Sequence, residues 1–118
     1  MNKAVIGIAG CGAMGLPMAE NLLHAGYDVW GFDVKTVDAS DNLQNRMIAE
    51  PSAFAAMVGV VISVVRDIAE TNALLFDDQA ILSGPEHPTT LVLSSTLSPR
   101  FIRDVAARVP ADVTVIDA

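Results

Sequence analysis

Short, nearly continuous apolar runs alternate along this chain with stretches whose apolar residues recur every three or four positions. "KAVIGIA" (Lys3–Ala9) reads as a strand covered on both faces. A helix is predicted from about Ala13 to His24, with Met14, Met18, Leu22 and Ala25 on its buried face and Gly26 as the glycine that ends it. "YDVWGFD" (Tyr27–Asp33) is a second strand, and Val34–Arg46 is polar and turn-rich. "MIA" (Met47–Ala49) reads as a short third strand, and "PSAFAAMV" (Pro51–Val58) as a short helix with proline in its first turn. "GVVISVV" (Gly59–Val65) is a fourth strand. Asp67–Leu82 is helical in pattern, with Ile68, Leu74, Leu75 and Ile81 as its apolar set. Ser83–Thr90 is a loop by composition, and "LVLSS" (Leu91–Ser95) a fifth strand. Ser98 and Pro99 suit the N-cap and first position of a last helix, with Ile102, Val105, Ala106 and Val109 as its stripe. "VTVID" (Val113–Asp117) is a sixth strand.

Strands and helices that alternate over short connections specify an α/β fold. The expectation is a doubly wound parallel sheet with right-handed crossovers, a single domain over residues 1–118. Composition narrows the partners. Seven Lys and Arg stand against 14 Asp and Glu, for a net charge of −7. Without a basic cluster, nucleic acid and anionic membrane surfaces are poor partners. The longest apolar run, "FAAMVGVVISVV" (Phe54–Val65), falls short of the roughly 18–20 residues that span a bilayer. A single cysteine makes no internal disulfide, so nothing demands an oxidising compartment, and a cytoplasmic location is expected.

The chemistry concentrates in "GIAGCGAMG" (Gly7–Gly15). "IAGC" matches the tail of a bacterial lipoprotein signal with Cys11 as lipid acceptor. Against that, the apolar stretch before it is short, and a helical pattern follows where a polar tether belongs. The alternative is Gly10-x-Gly12-x-x-Gly15, a dinucleotide-binding turn between an apolar strand and a helix. Gly10 permits the turn, Gly12 lets a pyrophosphate approach the backbone, and Gly15 lets helix and strand pack closely. The amides of Ala13 and Met14 then point at the phosphates from a helix N-terminus. Asp33 ends the second strand about 20 positions on, where such folds place the carboxylate that binds the ribose hydroxyls. Its charge favours NAD over NADP, though Lys35 is close enough to blur that preference. Cys11 becomes a small inert residue inside the turn. His24 and His87 lack partners at metal-ligand spacing and read as surface residues.

"VIGIAGCGAMGLPMAENLLHAGYDVWGFD" resembles the N-terminal signature of the β-hydroxyacid dehydrogenases, the family of 3-hydroxyisobutyrate dehydrogenase and 6-phosphogluconate dehydrogenase. Met14, Met18, Ala19, Asn21, Leu22 and Gly26 match it beyond the bare glycines. "SSTLSP" (Ser94–Pro99) resembles the family's Ser-Thr-x-x-Pro segment, and "VIDA" (Val115–Ala118) the start of its substrate segment. Relatives often carry Leu-Pro where this chain has Val65-Arg66. The resemblance implies the cofactor half of an oxidoreductase that moves hydride between NAD and a small 3-hydroxy acid, in a parent enzyme expected to be a homo-oligomer. It implies that Gly10, Gly12, Ala13 and Met14 hold the pyrophosphate and Asp33 the adenine ribose. Val65 and Arg66 would lie along the middle of the cofactor, with Thr96 nearest the nicotinamide. The family's substrate serine and glycines, and a helical domain with its catalytic lysine, would follow Ala118, so residues 1–118 alone are expected to be inactive. The rival function is a regulatory module that binds a dinucleotide without chemistry.

Overall fold

A computed structural model describes residues 4–12, 14–34, 41–94 and 97–118. Lys3, Ala13, Lys35 and Thr96 therefore lie outside the described residues. In chain order the elements are β1 (Val5–Ala9), α1 (Gly15–His24), β2 (Asp28–Phe32), α2 (Asp41–Gln44), α3 (Pro51–Met57), β3 (Val60–Ser63), α4 (Ile68–Leu75), β4 (Thr90–Leu93), α5 (Pro99–Arg108) and β5 (Thr114–Asp117). The five strands form one all-parallel sheet in the order β2-β1-β3-β4-β5. One row of the register crosses the whole sheet at its carboxyl edge: Phe32, Ala9, Ser63, Leu93 and Asp117.

Handedness distributes the helices. The chain moves one way from β1 to β2 and the other way thereafter, so right-handed crossovers put α1 on one face and α3, α4 and α5 on the other. The two cores follow. Ile8, Cys11, Ala19, Val29 and Leu43 pack on the α1 face. Phe54 of α3, Leu74 and Leu75 of α4, and Phe101 and Val105 of α5 pack against Ala9, Val61, Leu91 and Leu93 on the opposite face. Fully burying a side chain the size of Phe54 contributes about 2–3 kcal/mol, so this second core holds most of the fold's cohesion. The α1 face stays open over β3–β5. There Ile62, Val92 and Ile116 stand side by side in register, and Ile116 is 45% exposed.

Four expectations from the sequence need correction. The third strand is a single bridge: Gly31 donates to the Arg46 carbonyl at 2.9 Å and accepts from Ile48 at 2.8 Å. The segment cannot extend, because Glu50 and Pro51 already cap and open α3. The bridge sits outside β2, so the classic doubly wound order survives with its outer strand reduced to one residue. Helix α4 stops at Leu75, well short of Leu82. Asp77 and Asp78 follow it, and acidic groups oppose the dipole at a helix carboxyl end. Ile81 is buried nevertheless, carried inward by a loop in which Ala80 takes a positive φ of 49°. Ile68 is exposed.

On α1 the buried residues are Gly15 and Ala19, with Met14 exposed at 69% and Ala25 exposed. The buried stripe of α5 centres on Phe101 and Val105, with Ile102 and Val109 half-buried and Ala106 exposed. Ser98 caps that helix as expected, its hydroxyl accepting from the Phe101 amide at 3.2 Å.

Gly15 sets the face that α1 presents. A Cβ there would lie 1.9 Å from the Gly10 carbonyl oxygen. Alanine in a helix interior is worth about 1 kcal/mol over glycine, but this overlap forces the backbone apart. Gly15→Ala is therefore expected to destabilise the domain by roughly 1–3 kcal/mol. Gly59→Ala, where the nearest atom is 3.9 Å away, should be neutral or slightly stabilising. Urea unfolding of both variants checks this, and equal midpoints would refute the constraint at Gly15.

Candidate functional site

The sheet reverses direction of travel between β1 and β3, and a crevice opens where their carboxyl ends diverge. A cleft of about 510 Å³ occupies this place. Its floor and one side are Gly10 and Gly12, after β1, and Phe32, Asp33 and Val34, at the end of β2. The other side is Val64, Val65 and Arg66, after β3. Glu70, Ala73 and Leu74 from α4 and Asp78 and Gln79 beyond it complete the wall.

The glycine turn is held by backbone bonds on both flanks. Gly10 donates to the Phe32 carbonyl at 2.9 Å, and Val64 donates to the Ala9 carbonyl at 2.8 Å. Gly10 has a φ of +95°, and a Cβ there would meet the Val64 carbonyl carbon at 3.0 Å, so glycine is required twice over. Gly12 differs. A Cβ at that position would have nothing within 4 Å, which leaves open space beside an exposed backbone. The Gly12 carbonyl accepts from Leu16 at 3.1 Å and starts the first turn of α1.

Helices α3, α4 and α5 each begin with a side-chain cap, from Glu50, Asp67 and Ser98. Helix α1 has none, and no acidic residue stands in its first turn. The positive end of its dipole therefore stays available to an anion at the glycine turn.

Asp33 ties the end of β2 to the glycine turn. Its Oδ2 accepts from the Cys11 amide at 2.8 Å, so the carboxylate at the end of β2 fixes the glycine turn directly. Cys11 itself is buried and unpaired, and its Sγ donates to the Ile8 carbonyl at 3.5 Å. Burial pushes its thiol up from 9.0 to about 11, with the Asp33 charge adding to the rise and a bond from the Phe32 backbone opposing it. A thiol so protonated is a weak nucleophile. Lipid attachment at Cys11 would require removal of Val5–Ala9, an interior strand of the sheet paired on both edges.

Of the residues singled out in the sequence, the structure brings Gly10, Gly12, Asp33, Val65 and Arg66 to the cleft. Met14 stands at the start of α1, outside the cleft lining, and Gly15 lies buried beneath Gly10. Ala13 and Thr96 fall outside the described residues. Sequence reasoning missed Phe32, Val34, Glu70 and Asp78 as lining residues. The signal for Glu70 was present: Arg66, just before the helix, and Glu70, in its first turn, are four positions apart and opposite in charge. His24 is exposed. His87 approaches the Pro88 carbonyl at 2.8 Å and Asp112 at 3.6 Å. Among the described residues no three metal-ligating side chains come together, and no helix is long and apolar enough to cross a membrane.

A parallel doubly wound sheet with a glycine turn, an uncapped helix N-terminus and a strand-end carboxylate at its switch point defines a dinucleotide-binding domain. Residues 5–118 match the family described as the NAD binding domain of 6-phosphogluconate dehydrogenase, and the chain belongs to that family. It is 37% identical over 105 residues to the NAD-dependent L-serine dehydrogenase of Pseudomonas aeruginosa, covering 86% of this chain and 35% of that protein. It is 32% identical over 116 residues to the 3-hydroxyisobutyrate dehydrogenase of the same organism, covering 96% of this chain and 39% of that protein. The chain thus spans little more than a third of the length of these relatives. Among solved structures, the V8 variant of an imine reductase from Myxococcus stipitatus in complex with NAD+ shares the fold with a TM-score of 0.80 at 19% identity, over 98% of this chain and 40% of that one.

The buried thiol makes stability depend on pH. The folded domain keeps the Cys11 proton where the unfolded chain releases it, so stability from this group is constant below about pH 9 and falls towards pH 11. The expected loss is roughly 2–3 kcal/mol, relative to a Cys11→Ala variant measured in parallel. Chemical unfolding at pH 7, 9 and 10.5 checks it; identical slopes for both proteins would remove the cause assigned here.

Proposed function

We propose that this chain is the cofactor-holding part of an NAD-dependent dehydrogenase acting on a small 3-hydroxy acid. The observation that carries the reading is the cleft at the β1–β3 switch point, which gathers Gly10, Gly12, Asp33, Val65 and Arg66 beside the uncapped end of α1. The open space at Gly12 fits a pyrophosphate against the backbone. Gly10, Gly12, Ala13 and Met14 would hold it there, with Gly15 keeping α1 close. Asp33 would take the adenine ribose hydroxyls with its carboxylate, already oriented by the Cys11 amide. Val65 and Arg66 would flank the middle of the cofactor, and Thr96 would stand nearest the nicotinamide. When bound, the nicotinamide accepts or donates hydride, and the chain's own residues bind and orient it.

The substrate class rests on the relatives, whose names specify L-serine and 3-hydroxyisobutyrate, both 3-hydroxy acids. NADP is the less suited cofactor, because its 2′-phosphate would face Asp33. A cytoplasmic location accords with the single unpaired cysteine. Assembly as a homo-oligomer in the full enzyme accords with the open apolar row Ile62–Val92–Ile116.

Calorimetric titration tests the site. The domain should bind NADH, and Asp33→Ala should weaken that binding by roughly 1.5–3 kcal/mol, the worth of a hydrogen bond to a charged group. NADPH should lose less or gain. Asp33→Asn, which can still accept from the Cys11 amide, separates loss of charge from loss of the turn's anchor. Gly12→Val should fold normally, since its side chain enters open space, yet bind no cofactor. Normal NADH binding by Gly12→Val, or equal losses for both cofactors in Asp33→Ala, would refute these assignments.

Catalysis is a separate expectation. By the resemblance, the proton-transfer lysine belongs to the helical domain, so residues 1–118 saturated with NAD should turn over neither 3-hydroxyisobutyrate nor L-serine. Loss of a positioned acid–base group typically costs about 10²–10⁴ in rate. Turnover by the purified domain, followed by NADH absorbance, would show that the catalytic group lies within it.

A further inference from the structure

The charged groups of the cleft are unevenly arranged. Asp33 stands on the β2 side, and Glu70 and Asp78 on the α4 side. Among the described lining residues Arg66 is the cation, and it is already engaged. Its Nε donates to Glu70 Oε1 at 3.1 Å and to Oε2 at 3.3 Å, and its backbone N–H donates to Oε1 at 3.3 Å. Glu70 is itself set in place, because its amide donates to Asp67 Oδ1 at 2.9 Å in the first turn of α4. One carboxylate thus takes both the main chain and the side chain of Arg66, biasing a guanidinium that is itself 81% exposed towards the α4 side.

This arrangement bears on which dinucleotide the cleft accepts. A ribose diol needs only an acceptor such as Asp33. A 2′-phosphate is strongly anionic at neutral pH and needs a cation, the role an arginine commonly fills in such folds. Here the cleft offers three carboxylates, Asp33 on one side and Glu70 and Asp78 on the other, and an exposed guanidinium paired with Glu70. We infer that Glu70 is a second determinant of cofactor choice, acting through Arg66: by biasing the guanidinium towards the α4 side, it withholds from a 2′-phosphate the cation that would neutralise it. The inference rests on the dinucleotide reading of the cleft. Glu70 is a positioning residue in this account.

The test is a fluorescence titration of NADH and NADPH against the unaltered domain, Glu70→Gln, Arg66→Ala and the double variant. The readout is the ratio of NADPH to NADH affinity, which a merely structural role for Glu70 would not move. Glu70→Gln should raise the ratio about three- to fivefold, the scale of one exposed ion pair. The gain should shrink as salt is added, and it should vanish in the double variant. Arg66→Ala alone should change the ratio less than twofold, because the cation is not serving the phosphate. An unchanged ratio in Glu70→Gln, or a gain that survives without Arg66, would overturn the inference while NADH binding leaves the proposed function standing. A large loss of NADPH affinity in Arg66→Ala alone would overturn it too. Failure of the unaltered domain to bind either cofactor would overturn the proposed function and this inference with it.

Discussion

Helix α1 can approach the sheet only because Gly15 has no side chain to set against the Gly10 carbonyl. That exclusion orders the carboxyl edge of the sheet. With Gly15 pressed onto the turn, Ala19 becomes the next buried position of the helix, and Met14 is turned out to solvent. The uncapped end of the helix is aimed at the turn, and the Cys11 amide falls within 2.8 Å of Asp33. The carboxylate ties the end of β2 to the turn after β1, beside the Gly10 bond to the Phe32 carbonyl, while the Val64 bond to the Ala9 carbonyl fixes the opposite side of the cleft. Displacing α1 by the width of a methyl group would disturb both the Gly15–Gly10 contact and the Cys11–Asp33 bond.

The strands were legible because their apolar runs, "VIGIA", "VVIS" and "TLVL", are short and carry polar residues only at their ends, as parallel strands between helices do. The glycine turn was legible for the same local reason, lying between such a run and a helical pattern. What could not be read was set by contacts distant in sequence. "MIA" has the composition of a strand, yet it pairs for one residue, because Pro51 opens α3 at once and Arg46 is drawn to Asp28 at 2.6 Å and over the Trp30 ring at 4.8 Å. On α1 the spacing places Met18 and Leu22 against the core, where they pack half-buried, but not Met14 and Ala25, which are exposed while Gly15 and Ala19 are the fully buried positions. The Gly15–Gly10 contact centres the buried stripe on Gly15 and Ala19.

The candidate site divides along the same line. Gly10, Gly12 and Asp33 are adjacent to strand ends and could be placed from the sequence. Glu70 and Asp78 enter the cleft through the crossing of α4 and the loop behind it, where the helix ends seven residues sooner than its apolar pattern suggests. The termination matters for the site: a helix continued to Leu82 would carry Asp78 away along its axis, whereas the loop folds back through bonds from Gln79 to Ala73 and from Ile81 to Leu74. The acidic character of the chain is thus not evenly spread over its surface, and part of it lines the one cleft described here.

The far side of the sheet ends differently. No described strand pairs with the outer edge of β5, and the face beside that edge carries Ile116 in line with Val92 and Ile62. An unpaired edge beside an apolar row is a template for the edge of another sheet. For residues 1–118 taken as an isolated domain, copies in concentrated solution would be held apart chiefly by their shared charge of −7. The isolated domain should therefore respond to salt: ions that screen the repulsion leave the hydrophobic row intact, and its solubility should fall as ionic strength rises or as pH approaches the isoelectric point of residues 1–118 near 4.4.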